Sequence, residues 1–331
     1  MSNKILITPR TFGKTDPTPI NMLRDEGYTL VLNPVGRLLC EEELIRLIPE
    51  ADGLIVGLDP ISSKVLERAT RLKVISKYGV GTDNIDLGRA TQLGIMVLNT
   101  PGTNSSAVAE LAFGLMLDVA RHISESDRQI RQGKWQCYEG VELWGKTLGI
   151  LGTGQTGRQL ALRAKGFNMH LICHDIREDE AWAHQIGVSY LPLKEVLAKA
   201  DFLSLHIPLT DSTYHIMSAP ELGLMKKSAI LINTARGELV DEKALYEALV
   251  NHRLGGAGLD VLETDPPVDS PLTKLDNVVL TSHIGAHTKE ATEAMGKLAS
   301  QNLIQALSGQ RPQFIVNPEA TEIGQRNRGR R

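Results

Sequence analysis

A glycine-rich turn in the middle of the chain constrains the fold more than any other feature. Residues 148–157 read LGILGTGQTG, in which an apolar strand runs into a G-x-G-x-x-G turn and a helix-forming run follows. In such a unit the three glycines, here Gly152, Gly154 and Gly157, serve the tight turn, the approach of backbone to a pyrophosphate and close helix–strand packing. The new helix offers free N–H groups to phosphates. Almost half of the chain precedes this turn, so another domain must come first.

Strand-like and helix-like runs alternate along the whole chain. This alternation is typical of parallel sheets with helices on both faces, so we predict two doubly wound α/β domains. The length of 331 residues fits two domains of roughly 150 residues each. The predicted strands are 4–8, 29–32, 53–56, 73–76 and 95–98 in the first series and 147–151, 169–173, 202–206, 229–233, 255–259 and 278–281 in the second.

Two helices bear on the domain organisation. The run 107–117 is apolar on nearly all sides, which predicts a long helix over 105–132, buried between domains or subunits and ended by Gly133. A last helix over 289–307 follows the final strand and has no obvious place in that sheet, so we expect it to pack on the first domain. The polar tail 319–331 is predicted to be disordered.

Charge and cysteine content exclude several classes of partner. The formal net charge of −3 gives no reason to expect nucleic acid, and no apolar run reaches the roughly 18 residues of a membrane span. The start of the chain has no signal-peptide pattern. Cys40, Cys137 and Cys173 lie far apart without metal-ligand spacing, which predicts a reduced cytoplasmic protein with no metal site.

Asp175 identifies the dinucleotide that the glycine turn is expected to bind. It ends the second strand of its series, about 20 residues beyond the glycines, where a carboxylate accepts hydrogen bonds from the adenosine ribose and repels a 2′-phosphate. We therefore predict NAD rather than NADP as cofactor. Two alternatives remain: Asp175 caps only its own turn, or Arg177 holds a 2′-phosphate.

Further motifs extend from Leu54 to Asn317. They are GVGTDNID at 79–86, NTPG at 99–102, GKW at 133–135, LWGKTLGI at 143–150, INTARG at 232–237, GLDV at 258–261 and HIGA at 283–286. With these motifs the chain resembles the D-isomer-specific 2-hydroxyacid dehydrogenases, most closely their phosphoglycerate dehydrogenase-like branch. The resemblance implies a Rossmann NAD-binding domain at 102–288, inserted into a flavodoxin-like substrate domain formed by 1–101 and 289–318. It also implies a homodimer formed through the nucleotide domain.

Hydride transfer between NAD and a 2-hydroxy acid needs a group that binds the substrate carboxylate and a side chain that gives or takes the hydroxyl proton. That acid/base side chain in turn needs a residue that orients it. Arg236 follows a strand, and its guanidinium can grip oxygen atoms in a fixed geometry. His283 matches the acid/base position of the family, since histidine titrates nearest neutral pH. Asp265 stands where the family usually has glutamate before proline, and it would orient His283. Aspartate is one methylene shorter, so Glu263 is the alternative partner.

The resemblance also implies which residues surround the cofactor. Gln155 and Thr156 are implied at the pyrophosphate, and His206, Ile207 and Pro208 at the adenosine half. Thr234 and Asp260 are implied near the nicotinamide. The full predicted cofactor set is Gly152, Gly154, Gln155, Thr156, Gly157, Asp175, His206, Ile207, Pro208, Thr234, Ala235, Asp260, Gly285 and Ala286.

The substrate is expected to be a small anionic molecule bound partly by the first domain. The loop of Gly79, Val80 and Gly81 is suited to presenting N–H groups to a carboxylate, and Lys77 precedes it. An arginine that follows the third strand in phosphoglycerate enzymes is replaced by Gly57. The substrate therefore stays open among 3-phosphoglycerate, hydroxypyruvate or glyoxylate, and a sugar acid.

Two other functions use the same scaffold. A non-catalytic NAD-sensing protein of the corepressor type would keep the same arginine, acid and histidine, but no added interaction region is evident. A formate dehydrogenase-like enzyme is disfavoured because the residues around His283 follow the hydroxyacid pattern. We expect an NAD-dependent 2-hydroxyacid dehydrogenase.

Overall fold

The protein forms two compact units in a computed structural model that describes residues 2–267, 269–321 and 323. The first unit is built from the described residues of Met1–Asn104 and His287–Arg331, and the second is Ser105–Ala286. Each unit is a parallel sheet flanked by helices, as the alternation of strands and helices predicts.

The regular elements follow one another along the chain. The strands are β1 (Lys4–Ile7), β2 (Thr29–Leu32), β3 (Gly53–Val56), β4 (Val74–Lys77), β5 (Met96–Leu98), β6 (Thr147–Leu151), β7 (His170–His174), β8 (Val188–Tyr190), β9 (Phe202–Leu205), β10 (Ile230–Asn233), β11 (Gly256–Leu259) and β12 (Val278–Leu280). The helices are α1 (Thr18–Asp25), α2 (Glu41–Leu47), α3 (Ser63–Arg68), α4 (Leu87–Gln92), α5 (Ser105–Arg121), α6 (Ile123–Arg131), α7 (Gln155–Gly166), α8 (Glu180–Ile186), α9 (Leu193–Lys199), α10 (Ala219–Leu224), α11 (Glu242–Val250) and α12 (Lys289–Leu307).

The sheet of the first unit has the order β2-β1-β3-β4-β5 with every pair parallel. This is the flavodoxin-like order, in which the direction of strand addition reverses between β1 and β3. Both faces are covered, so β3 and β4 are buried along their whole length. The register between β1 and the central strand β3 pairs Leu6 with Leu54.

Helix α12 packs on this first sheet although it lies near the end of the chain. It contacts α1 and the strands β3 and β4. The Ser76 hydroxyl donates to the Ala299 carbonyl at 2.9 Å, and the Ser300 hydroxyl donates to the Pro19 carbonyl at 3.0 Å. The chain therefore returns to the first unit after completing the second.

The sheet of the second unit has the order β12-β11-β10-β9-β6-β7-β8, again parallel throughout. Relative to its own first strand this is the Rossmann order with one further strand, and the reversal falls between β6 and β9. The predicted fold class, a Rossmann domain inserted into a flavodoxin-like domain, is confirmed. Strand β8 was not predicted, because a run of three residues is too short to show periodicity.

The predicted helix over 105–132 is wrong in one respect, since it is two helices. His122 has a left-handed φ of 54°, and α6 begins directly after it. The Asp118 carboxylate accepts hydrogen bonds from the Ser124 N–H, at 2.8 Å, and from its hydroxyl. This local bonding competes with continuation of the helix. The apolar face of α5 packs against α7 and β11 inside the second unit.

The C-terminal tail differs from the expected disorder where it can be described. Residues 319–321 and 323 are helical, and Ala320 is fully buried. Glu322 and 324–331 lie outside the described residues. Within the described ranges, no helix is both long and apolar enough to cross a membrane.

Candidate functional site

The glycine turn after β6 has the geometry that its three glycines require. Gly152 has a φ of +95°, and a Cβ there would lie 2.6 Å from the His206 carbonyl oxygen. A Cβ on Gly157 would lie 2.0 Å from the Gly152 carbonyl oxygen, so only glycine lets α7 sit this close to the turn. A Cβ on Gly154 would meet nothing within 4 Å. The turn is therefore tightly packed against the protein at Gly152 and Gly157, whereas the space beside Gly154 is empty.

Two observations show that the residues present fit a dinucleotide. Helix α7 begins after Gly154 without a side-chain cap, which leaves the first-turn N–H groups of Gln155 and Thr156 for an anion. Thr234 is buried, and its hydroxyl oxygen has no hydrogen-bond partner in the part of the chain that the structure describes. Buried hydroxyls are normally satisfied, so this atom marks a place where a bound molecule can complete the bonding.

Asp175 follows β7, and both of its carboxylate oxygens are engaged. One accepts from the Thr153 N–H at 2.6 Å and from the Thr153 hydroxyl at 3.0 Å, and the other accepts from the Arg177 N–H at 2.9 Å. Partial burial acts to raise the pKa of Asp175, but these hydrogen bonds outweigh it and lower the pKa below 3.8. Asp175 thus caps its own turn and is negatively charged at neutral pH, and its role at the adenosine ribose stays a prediction.

His206 follows β9, beside the glycine turn. Its N–H donates to the Leu151 carbonyl at 2.7 Å, and its ring Nε2 lies 2.9 Å from the Ser204 hydroxyl. Burial lowers the pKa of His206 to about 4, so the ring is neutral at pH 7. A neutral ring bonded to serine is better suited to lining a pocket than to carrying a proton.

The remaining predicted cofactor residues all follow strands of this second sheet. Because the strands are parallel, their carboxyl ends share one edge, where open α/β sheets bind ligands. Residues 207–208 follow β9, 234–235 follow β10, Asp260 follows β11, and 285–286 follow β12. The structure thus brings the predicted set to one edge of the sheet.

Arg236 lies in a turn held by a residue that the sequence did not single out. The buried Asn233 amide donates to the Arg236 carbonyl at 2.7 Å and accepts from the Ala235 N–H at 3.1 Å. The Arg236 guanidinium donates to the Ala235 carbonyl at 2.6 Å. An asparagine at the end of a strand was the available signal, since its side chain commonly bonds to a turn two residues on.

His283 and Asp265 are brought together by the fold. The His283 ring Nδ1 lies 2.9 Å from Asp265 Oδ2, and the other Asp265 oxygen accepts from the Leu262 N–H at 3.2 Å. In the described residues His283 Nε2 has no hydrogen-bond partner. The shorter aspartate therefore reaches the ring at a normal hydrogen-bond length. This arrangement orients the imidazole and leaves one nitrogen for a reacting oxygen.

Glu263, the alternative partner for His283, is bonded elsewhere. Its Oε1 lies 3.0 Å from His215 Nε2 and accepts from the Glu242 N–H at 3.0 Å. Of the two acids, Asp265 is thus the one in contact with His283.

The Asp260 carboxylate accepts hydrogen bonds from the turn that contains His283. Asp260 is buried, and its carboxylate accepts from the Ile284 and Gly285 N–H groups at 2.8 Å each. It also accepts from the Thr281 hydroxyl at 2.6 Å. The predicted place of Asp260 near a nicotinamide stays a prediction, but its carboxylate visibly fixes the backbone around His283.

The predicted substrate residues of the first unit are partly engaged within that unit. Lys77 is 3% exposed, and its amine donates to the Gly57 carbonyl and to Asn84 Oδ1. The Gly79 N–H donates to the Thr100 hydroxyl at 3.0 Å. Across the described chain, the N–H groups of Val80 and Gly81 have no acceptor. The Gly79 N–H is thus engaged within the unit, and the role of this loop in binding a carboxylate stays a prediction.

Comparison with known proteins agrees with this geometry. The family model described as D-isomer specific 2-hydroxyacid dehydrogenase, NAD binding domain, matches residues 113–285. A glyoxylate reductase of Korarchaeum cryptofilum is 42% identical over 288 residues, which are 85% of this chain and 87% of that protein. A D-3-phosphoglycerate dehydrogenase of Methanocaldococcus jannaschii is 43% identical over 301 residues, which are 88% of this chain and 57% of that protein.

A solved structure extends the similarity to the fold. The TT0316 protein of Thermus thermophilus superposes with a TM-score of 0.86 at 39% identity, covering 95% of this chain and 99% of that one. The family match, the sequence identities and the fold agree with one another. The chain therefore belongs to the D-isomer specific 2-hydroxyacid dehydrogenase family, and the matched family model is that of its NAD-binding domain.

Proposed function

We propose that this NAD-dependent 2-hydroxyacid dehydrogenase reduces small 2-oxo acids, with His283 as the proton carrier and Arg236 as the substrate holder. The observation that carries the proposal is the 2.9 Å hydrogen bond between His283 Nδ1 and Asp265 Oδ2. A histidine with one nitrogen fixed by a carboxylate and the other without a partner among the described residues is suited to general acid/base chemistry.

Each side chain then has one task in the reaction. The Arg236 guanidinium binds the substrate carboxylate or carbonyl oxygen, and protonated His283 donates from Nε2 to that carbonyl oxygen. NADH held by the glycine turn of Gly152, Gly154 and Gly157 would supply the hydride that C2 of the acid accepts. Asp265 stabilises the protonated ring before the transfer and holds its orientation afterwards. In the oxidation direction, neutral His283 accepts the hydroxyl proton.

The preferred substrate is an unphosphorylated acid such as glyoxylate or hydroxypyruvate. In the first unit Gly57 offers no charge, and the Lys77 amine is bonded to Gly57 and Asn84. A phosphate needs charge-assisted donors, each worth about 1.5–3 kcal/mol. A relative named glyoxylate reductase supports this choice, whereas the relative named D-3-phosphoglycerate dehydrogenase keeps 3-phosphohydroxypyruvate as the second candidate. The relatives reported above are named as enzymes, so nothing favours a corepressor.

NADH oxidation with glyoxylate, hydroxypyruvate, 3-phosphohydroxypyruvate and 2-oxo sugar acids tests the proposal. We expect turnover of the first two with a higher kcat/KM than for the phosphorylated acid. His283→Ala should lower kcat by at least about 100-fold, the scale of a placed acid/base. The exposed His184→Ala is the matched control and should keep wild-type rates. Absence of turnover by the wild type, or a near-normal rate for His283→Ala, would refute the proposal.

We also propose a homodimer formed through the second unit. The segment 123–144 carries large apolar side chains left in solvent, among them Trp135 at 88% and Trp144 at 62% exposed. A second copy would cover such a patch, which is unusual on a monomer. Light scattering after size exclusion should give twice the mass of 36.2 kDa.

We also propose a cytoplasmic location, because the three free cysteines are typical of a reducing compartment.

A further inference from the structure

We propose that His215, Glu263 and Glu242 form a loop clamp that holds the segments bearing Arg236 and Asp265 in register. His215 is then a positioning residue for the reaction, acting through both segments without touching the substrate. The inference rests on the proposed function, because it assigns the clamp to the same site. The candidate site residues deduced from the sequence did not include His215 or Glu242.

The clamp ties down the segment that carries Asp265. His215 Nε2 lies 3.0 Å from Glu263 Oε1, and the same oxygen accepts from the Glu242 N–H at 3.0 Å. In return the Glu263 N–H donates to Glu242 Oε1 at 2.6 Å. The Ser270 hydroxyl donates to the other Glu242 oxygen at 3.1 Å. Glu263 and Ser270, which precede and follow Asp265 in the chain, are thus both bonded to Glu242, the first residue of α11.

The backbone of His215 is bonded to the segment that follows Arg236. Its N–H donates to the Glu238 carbonyl at 2.9 Å, and the Met217 N–H donates to the Leu239 carbonyl at 3.0 Å. The same turn also touches the Asp265 segment, since a Cβ on Gly237 would lie 1.9 Å from the Leu262 carbonyl carbon. One residue therefore bonds to the Arg236 segment through its backbone and to the Asp265 segment through its ring.

The ring of His215 is itself held in place. It stacks on Tyr214 with centroids 4.0 Å apart and planes 17° apart, and 27% of its side chain is exposed. To face the carboxylate, Nε2 must carry a proton and donate. A side-chain amide of similar reach can do the same, whereas alanine cannot. The clamp therefore predicts that glutamine substitutes for His215 and alanine does not.

Steady-state kinetics with NADH and glyoxylate test this role. His215→Ala should lower kcat/KM by about 10–100-fold, the cost expected for small misplacements of catalytic groups. Part of the loss should appear as a raised KM for the acid, with the NADH dissociation constant unchanged. His215→Gln should recover most of the loss. His252→Ala is the matched control, because His252 is an exposed histidine with the same left-handed φ of 50°.

A double substitution separates positioning from general stability. If His215 acts through the Asp265 segment, His215→Ala should cost less in an Asp265→Asn background than in the wild type. If His215→Ala lowers kcat/KM by the same factor in both backgrounds, the clamp is overturned. So would a lower kcat with an unchanged KM, which indicates only a smaller folded fraction.

A spectroscopic comparison keeps the clamp testable without turnover. In ¹⁵N-histidine spectra, His215→Ala should shift the His283 Nδ1 signal, because its Asp265 partner moves, and His252→Ala should not. An unmoved His283 signal in His215→Ala would refute the clamp. If the wild type reduces none of the acids, the proposed function fails, while this spectrum still decides the clamp.

Discussion

His283 and Asp265 depend on each other although they follow different strands. The imidazole has one nitrogen 2.9 Å from a carboxylate oxygen, so its orientation depends on Asp265. At this scale a change of one atom, from oxygen to nitrogen in the carboxyl group, removes a charge and keeps the shape.

Asp265→Asn should lower kcat for 2-oxo acid reduction by about 10–100-fold, because an amide in place of the carboxylate no longer gives the His283 ring the negative partner that orients it. The measurement is steady-state kcat with NADH and glyoxylate. Asp265→Glu restores the charge and should keep most of the wild-type rate. A wild-type kcat in Asp265→Asn would show that the carboxylate does not act on His283.

Asp175→Asn should reduce the preference for NAD over NADP. The carboxylate is ionised, because the hydrogen bonds from Thr153 and Arg177 lower its pKa below 3.8, and a 2′-phosphate would meet that charge. Losing charge-assisted bonds of about 1.5–3 kcal/mol should weaken NADH binding by about 10–100-fold. NADH and NADPH dissociation constants from fluorescence titration give the ratio. The exposed Glu178→Gln serves as control, and an unchanged ratio in Asp175→Asn would assign the residue to turn capping alone.

At the scale of elements, the site depends on turns that follow parallel strands and on how closely these turns pack. Asp260 organises the turn after β12, and Asn233 organises the turn after β10. Backbone contacts between turns leave no space for side chains. Gly237 is the sharpest case, since a Cβ there would overlap the backbone of Leu262.

Gly237→Ala should therefore lower both stability and activity. Overpacking of this kind costs about 1–3 kcal/mol, and the displaced turn also carries Arg236. Thermal unfolding and kcat/KM for the 2-oxo acid are the two measurements. Gly223→Ala is the control, because an added Cβ in α10 meets nothing within 4 Å and alanine favours the helix. Wild-type stability and rates for Gly237→Ala would contradict the tight turn contact.

At the scale of the whole molecule, stability toward acid depends on carboxylates that hold strands together. Asp201 accepts from the Thr147 N–H at 2.9 Å and from the Lys226 amine at 2.8 Å. Partial burial acts to raise the pKa of Asp201, but these partners outweigh it and lower the pKa below 3.8. A carboxylate with a lowered pKa in the folded state stabilises the protein above its ordinary pKa, and this contribution is lost as the pH falls through the lowered value.

Asp201→Asn should lower the free energy of unfolding by up to about 3 kcal/mol at pH 7. The difference from the wild type should shrink as the pH falls below 3.8, because protonation removes the same charge from the native protein. Denaturant unfolding at several pH values measures it. Asp211→Asn, an exposed aspartate, should show no such difference. A difference that stays constant with pH would show that Asp201 acts through packing alone.

Much of this molecule follows from local sequence. The alternation of strands and helices, the glycine turn after β6 and the return helix α12 could be predicted, because periodicity and glycine sterics act over a few neighbouring residues. Arg236 and His283 could be proposed because family motifs surround them. The helix break at His122 could not be predicted, since it depends on a hydrogen bond that the Asp118 carboxylate accepts from the Ser124 N–H.

Which side chains contact one another depends on the tertiary packing. It placed Asp265 rather than Glu263 against His283, directed Glu263 to His215, and enclosed the Lys77 amine in bonds to Gly57 and Asn84. Apart from the Lys77–Asn84 bond, these contacts join residues 18 to 48 positions apart in the chain, so no local pattern predicts them. The two sheets, the family and the dinucleotide turn could be predicted from local sequence patterns. Which acid bonds to His283 could not be predicted in this way, because it depends on how the turns pack against one another.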